Sequence, residues 1–397
     1  MHRETLGRIL LIVAVCVVQA AEATAIPLFA RRYNVSCQQC HVAPPKLNAF
    51  GEQFRARGYR MPPGFRSRGT IPLAVWMSGR SDALHDESDV SEAVRAYLNK
   101  VEIISGGAVV APWLRYFVEW RMVSLETQRR DGRIRLRDRS GRFEDLFLVA
   151  AADNLDIAVG QYRQLNQVDV SLRLGLSEPL VLASGLPGSD EGLARDPEGD
   201  LTTAASRQLS LRAFSPAGRS PSVRVGWTGR VGTGWDWTTF ATLPLPGEFS
   251  IPLTSEARIE ASNELELEPK GVFVESYIRR GLTSFGAHAF YDHSERYLLQ
   301  AVTTGSRGSI HWTAIAGLAR VGDPLRGRWS VEGEYIPHYF IGIGARLEDL
   351  TGDEARRGFI PYVSAHFPGT RYTVRLTVEQ RLQRGNDATL IELGTVF

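Results

Sequence analysis

Cys37-Gln38-Gln39-Cys40-His41 sets two thiols three residues apart, with an imidazole directly after the second. This is the form of a c-type haem attachment site: the thiols of Cys37 and Cys40 bond the haem vinyl groups, and His41 reaches the iron as proximal axial ligand. Two other chemistries use a Cys-x-x-Cys pair, a redox disulfide and half of a zinc site. Zinc needs further Cys or His ligands at similar spacing, and the only other cysteine is Cys16, inside an apolar leader. A thioredoxin-like disulfide needs a βαβ setting, and none follows. The residues favour one covalent haem c.

Iron held by His41 has a sixth position. Met61, in Tyr59-Arg60-Met61-Pro62-Pro63, is the leading candidate distal ligand. His85, a histidine from the wall of the following domain, or an open site are the alternatives. Histidine–methionine ligation raises the reduction potential, which suits accepting an electron from a mild reductant.

The motif needs elements to hold it. His2, Arg3 and Arg8 form a basic start, Ile9 to Val18 is apolar, and Ala23-Thr24-Ala25 offers a small-residue cleavage site. Residues 1–25 therefore read as a signal peptide, its apolar run being too short to span a bilayer. Cleavage there removes Cys16 and leaves the haem pair alone, on the side of the cytoplasmic membrane where bacterial c-type haem is attached. Residues 26–66 read as a small α-helical monohaem cytochrome c domain. About forty residues seldom bury a sufficient core unaided, and a covalent haem can serve as one. Leu47, Phe50 and Phe54 recur on one helical face within Lys46 to Arg57. Pro45 suits the first turn and Gly58 the stop, which predicts a helix laying Phe50 and Phe54 against the porphyrin. The same helix could instead pack on a barrel wall, and the two roles are compatible.

Residues 70–397 alternate with period two and contain no long apolar run. Leu114, Tyr116, Val118, Trp120 and Met122 alternate with Arg115, Phe117, Glu119 and Arg121. Tyr372, Val374, Leu376 and Val378 do so with Thr373, Arg375, Thr377, Glu379 and Arg381, and Ile259 to Leu267 repeats the pattern against Arg258, Glu260, Glu264, Glu266 and Glu268. Long strands with one apolar and one charged face suit a transmembrane antiparallel β-barrel, lipid outside and water inside, of about sixteen strands. A soluble β-sandwich also alternates, but its strands are shorter and its polar faces less charged. The terminal strand, Ala388 to Phe397, ends on an aromatic residue like the assembly signal of bacterial outer-membrane barrels. Trp113, Trp120, Trp227, Trp235, Trp237, Trp312 and Trp329 could supply interfacial girdles.

A formal net charge of +2 implies no nucleic-acid partner. No nucleotide-binding glycine pattern and no hydrolase triad is present, and His288 and His293 read as lumen or loop residues. The stretch 185–207 reads as an extracellular loop. The connector from Pro62 to Gly69 spans at most roughly 27 Å. It keeps the haem domain at the periplasmic mouth or inside the lumen.

From Ala25 through Val35 to His41, and on through Pro45, Leu47-Asn48, Phe50-Gly51, Phe54 and Gly58-Tyr59, the sequence resembles the fused outer-membrane monohaem cytochrome c–porin family of iron-oxidising bacteria. The match is specific over that segment, and the barrel resembles the family in length and patterning only. The resemblance implies haem on Cys37 and Cys40, proximal ligation by His41, and location in the cell outer membrane. It also implies an oxidoreductase that takes electrons from extracellular Fe(II) and passes them to periplasmic c-type cytochromes or another soluble carrier. A cytochrome-fused porin with another donor or acceptor, and a diffusion porin with a haem plug, are the alternatives. Asp82, His85, Asp86, Glu87, Asp89 and Glu92 could collect Fe²⁺ through hard oxygen ligands. Glu260, Glu264, Glu266, Glu268, Glu332 and Glu334 could guide it along a lumen.

Overall fold

Alternation decides the architecture. In a computed structural model the described residues are 28–65, 67, 72–85, 92–109, 113–130, 133–138, 140–161, 174–176, 221–245, 271–292, 297–320, 326–350, 357–368, 373–383 and 387–396. The predicted signal peptide, the stretch 185–207, the alternating segment 258–268 and His293 lie outside them.

Among the described residues, seventeen strands close into one antiparallel ring. In chain order they are β3 (Leu73–His85), β4 (Glu92–Ala108), β5 (Leu114–Arg130), β6 (Arg133–Asp138), β7 (Arg142–Ala151), β8 (Leu155–Gln161), β9 (Pro221–Val231), β10 (Trp235–Pro244), β11 (Gly271–Arg280), β12 (Thr283–Asp292), β13 (Tyr297–Arg307), β14 (Ile310–Arg320), β15 (Arg326–His338), β16 (Ile341–Leu350), β17 (Gly358–Pro368), β18 (Thr373–Gln383) and β19 (Asp387–Val396). The ring has sixteen staves. The first half of β5 pairs with β7 and its second half with β6, so β6 and β7 are two parts of one strand. The break falls at Ser140-Gly141, where Gly141 takes a positive φ of 85° and Ser140 Oγ accepts the Ser124 amide at 3.0 Å. The ring closes by pairing β19 with β3, Leu390 opposite Asp82.

Burial runs opposite to that of a soluble protein. Arg346, Glu275 and Thr377 are wholly buried, whereas Leu347, Val331, Leu299 and Val159 on the other face are about half exposed or more. A continuous apolar exterior with charged groups inside is the surface a lipid bilayer solvates. It excludes the sandwich alternative. The two faces of β5 and β18 fall as the alternation predicts, with Arg115, Phe117, Glu119, Thr377, Glu379 and Arg381 buried inside. Trp113, Trp227, Trp312 and Tyr335 stand exposed near the short-turn rim; Tyr291, Trp329 and Phe359 stand near the other. These are interfacial aromatic belts.

The N-terminal segment folds as helix α1 (Leu28–Tyr33), a single 3₁₀ turn at Cys37–Gln39, a two-strand ribbon of β1 (His41–Ala43) with β2 (Lys46–Leu47), and helix α2 (Ala49–Ala56). The predicted helix over Lys46 to Arg57 is shorter by one turn at its start. Asn48 is the reason: its Oδ1 accepts the Gly51 amide at 2.9 Å as N-cap, and its Nδ2 donates to the Gln38 and Gln39 carbonyls. That cap starts the helix at Ala49 and releases Lys46 and Leu47 to pair with β1, leaving Pro45 in the ribbon turn. The stop falls where predicted. Gly58, at φ 59°, sits against Val149, a close approach that a side chain would contest.

Candidate functional site

The cysteine pair is unbridged: Cys37 is buried and Cys40 half-buried, both as free thiols. The 3₁₀ turn carries Cys37 into Cys40, whose amide donates to the Cys37 carbonyl at 3.1 Å. Helix α2 presses on this turn through Gly51, where any Cβ would run into the Cys40 carbonyl oxygen. The Asn48 amide donates to that same carbonyl at 2.8 Å. The motif is thus gripped by residues just downstream of it, Asn48 and Gly51.

His41 lies 3.1 Å through Nδ1 from the Pro45 carbonyl oxygen. A carbonyl only accepts, so Nδ1 carries the proton and Nε2 is left with its lone pair. Burial holds the His41 imidazole down at about 4, partly opposed by the Pro45 and Lys46 carbonyls. Burial also pushes the thiols up, Cys40 to about 11 with a further push from neighbouring Cys37. At Cys37 the nearby Tyr339 hydroxyl works against that rise. Two neutral thiols and a neutral imidazole with a fixed tautomer suit thioether attachment and iron ligation by Cys37, Cys40 and His41. Among the described residues no cluster of three or more His, Cys, Asp or Glu could hold a separate metal ion.

The segment seats against inward-facing wall residues near the short-turn rim. Ala43 packs with Ile336, Tyr362 and Leu174, the last from a described stretch, 174–176, that lies inside the lumen between β8 and β9. Lys46 pairs with Glu334, and Tyr362 donates to Glu332 and, at 2.9 Å, to Glu334. Glu332 and Glu334 are therefore committed to neighbours inside the wall. Asp82 is likewise paired, with Arg80 and with Tyr97 at 3.0 Å. Asp86, Glu87, Asp89, Glu260, Glu264, Glu266 and Glu268 fall outside the described residues, and Glu92 opens β4 at the far rim.

On the other side of the segment, five rings stack into a continuous cluster. Tyr59 lies 4.3 Å from Phe117 and 5.2 Å from Phe29, Phe29 lies 4.8 Å from Phe54, and Phe117 lies 5.9 Å from Phe147. Phe54 thus joins the wall-packing cluster, while Phe50 meets Phe65 at 5.8 Å on the other flank. Met61 is buried, but its cavity of about 180 Å³ is lined by Arg57, Arg60, Pro62 and the β7–β8 turn, with no residue of the Cys37–His41 motif among them. His85 ends β3 at the opposite rim, twelve residues along from Leu73, whose carbonyl accepts from Arg31. At about 3.3 Å per residue that is roughly 40 Å of strand, which removes His85 from the neighbourhood of His41.

Asn48 and Gly51 entered the sequence reading only as matched positions, without a role, while Tyr339, beside Cys37, and His366, bonded through its amide to the same turn, were not singled out. For His366 the signal was present: Tyr362, Ser364 and His366 share the inward register of β17. For Tyr339, in the β15–β16 turn, no periodicity points at the motif.

No protein-family model matches the chain, and neither does any curated protein. Solved structures do. OmpF of Salmonella typhi, determined with daunomycin, superposes with a TM-score of 0.51 at 10% identity, covering 82% of this chain and 97% of that one. A triple mutant of the Rhodopseudomonas blastica porin superposes with a TM-score of 0.45 at 8% identity, covering 82% and 99%. At the OmpF level of similarity the likeness speaks to fold, and it agrees with the strand ring and the inverted burial: the chain carries a porin-like, sixteen-stave antiparallel β-barrel with its N-terminal segment packed against the inner wall.

Proposed function

We propose that the protein is an outer-membrane electron conduit that oxidises extracellular Fe(II) through one covalent haem c and delivers the electron to a periplasmic c-type cytochrome or another soluble carrier. One observation carries the reading: an unbridged Cys37/Cys40 pair and a tautomer-fixed His41 packed inside the mouth of a closed barrel. Bound haem supplies a single one-electron couple, and each electron it accepts converts one Fe²⁺ to Fe³⁺ with no bond made and no proton moved. Cys37 and Cys40 anchor the group, which suits a segment too small to hold it by core packing alone. His41 offers Nε2 to iron while Pro45 keeps the ring from turning. Cys37 is buried while Gln38 stays exposed, so the motif is seated against the wall with one side open to the lumen.

The test is to add Fe²⁺ to detergent-solubilised, haem-loaded protein and follow the haem absorption bands. Reduction is expected, and a Cys40→Ser variant should carry no covalent haem on a denaturing gel. If dithionite reduces the wild-type haem and Fe²⁺ at the working pH does not, iron is not the donor, and a conduit serving another donor or acceptor replaces this reading. The porin-like barrel favours a second reading, a diffusion channel with a haem plug. Single-channel current separates the two, because a conduit filled at its mouth passes little.

A further inference from the structure

We infer that His366, on the barrel wall, supplies the second axial ligand to the iron held by His41. The inference rests on the haem reading of Cys37 to His41 and gives that site a ligand from a different part of the chain. His366 is wholly buried, and neither ring nitrogen has a hydrogen-bond partner. A buried imidazole left so pays its desolvation without return and invites a missing partner. It also sits where that partner would be. Its amide donates at 2.7 Å to the Phe340 carbonyl, in the turn whose Tyr339 hydroxyl neighbours Cys37. Four residues along the same inward face, Tyr362 packs on Ala43, two residues past His41.

Other described histidines inside the wall are differently placed. His311 faces the Lys46–Glu334 pair. His288 is as buried as His366 and its ring nitrogens are likewise unpartnered, but it sits beside Gln300 and packs on Phe273 at 6.4 Å between centroids. What distinguishes His366 is its place next to the turn of Tyr339. Met61, the ligand expected from sequence, borders a cavity that the motif does not line. A wall ligand would also bind segment to barrel through the iron, so the site would be complete only when the two are docked. Two histidines set a lower potential than a histidine–methionine pair.

The test uses full-length protein with its covalent haem, in detergent, read by ferric electron paramagnetic resonance and far-red absorption. The wild type should be low-spin and lack the sulfur-to-iron charge-transfer band. His366→Gly should turn high-spin and return to low-spin with added imidazole; His366→Met should gain the sulfur band and a higher potential; Met61→Ala should change neither spectrum. A wild-type sulfur band that Met61→Ala abolishes overturns the inference, as does a high-spin wild type or an unaltered spectrum in folded His366→Gly. The wild-type spectrum decides even if a variant fails to fold, with heat-dependent gel migration reporting barrel integrity. Absence of covalent haem in the matured wild type would overturn the haem reading itself, an outcome distinct from the wrong ligand.

Discussion

Two arcs of the inner wall grip the N-terminal segment by different means. Along β3 to β8, Leu28, Phe29 and Tyr59 meet Ala74, Ile104, Phe117, Phe147, Val149 and Ala158 in an apolar cluster. Along β15 to β17, Lys46 of the ribbon pairs with Glu334, Ala43 packs with Ile336 and Tyr362, and Tyr339 of the β15–β16 turn neighbours Cys37. Apolar burial is non-directional and scales with area, so it suits holding. Hydrogen bonds and ion pairs fix angles, so they suit aiming the motif. Anchoring and alignment are thus assigned to opposite sides of one lumen, and each can be broken separately.

The largest effect should come from the apolar arc. Phe117→Ala removes the ring stacked at 4.3 Å on Tyr59 and leaves Phe29 and Phe147 facing a void. Phe→Ala in a packed core costs about 3–5 kcal/mol. The loss should fall on docking rather than on barrel closure, because the ring points inward and the ladder is backbone. Single-channel current should rise and protease should cut the 28–65 segment, with heat-modifiable migration unchanged. Wild-type current and protection would show that the aromatic cluster is not what holds the segment.

On the polar arc, Lys46→Ala should matter less. The Lys46 side chain keeps 20% of its surface exposed, so water screens its pair with Glu334. Glu334 also retains the Tyr362 hydroxyl. A loss of about 1–2 kcal/mol is expected, between the exposed and the buried limits for ion pairs. A double-mutant cycle with Glu334→Gln isolates the pair, and a coupling energy at zero would remove it from the alignment of the ribbon.

The barrel was legible because lipid outside and water inside impose a strict period of two. The faces of β5 and β18 could be assigned from residue type alone, and one ring of about sixteen followed. The spacing of Cys37, Cys40 and His41 was readable as a pattern, and the structure adds that Asn48 and Gly51 hold that turn in place. What escaped were contacts made across long sequence separations. Nothing in the alternation of Arg326–His338 tells that the following turn brings Tyr339 to Cys37, and the inward register of His366 gives a face but not a neighbour. Met61 borders a cavity shared with the β7–β8 turn, a neighbour that its position in the sequence does not give. The misplaced helix start had a local cause: Asn48 outcompetes Pro45 as a starting signal once Lys46 and Leu47 have a strand to pair with.

The smallest effect should come from between the arcs, where Gln53 Nε2 donates to Asp236 Oδ2 at 2.7 Å beside the β9–β10 turn. Asp236 is partly exposed and has Arg230 3.7 Å away, so losing the amide leaves it neither dry nor alone. Gln53→Ala should then cost about 1 kcal/mol or less, the net worth of a single hydrogen bond that water can replace. Helix α2 would still be capped by Asn48 and held through Phe54, so channel current and protection of the 28–65 segment should stay at wild-type levels. Equal loss of protection in Gln53→Ala and Phe117→Ala would mean that polar contacts around the whole rim carry the docking. The division into a holding arc and an aiming arc would then give way to a single continuous collar.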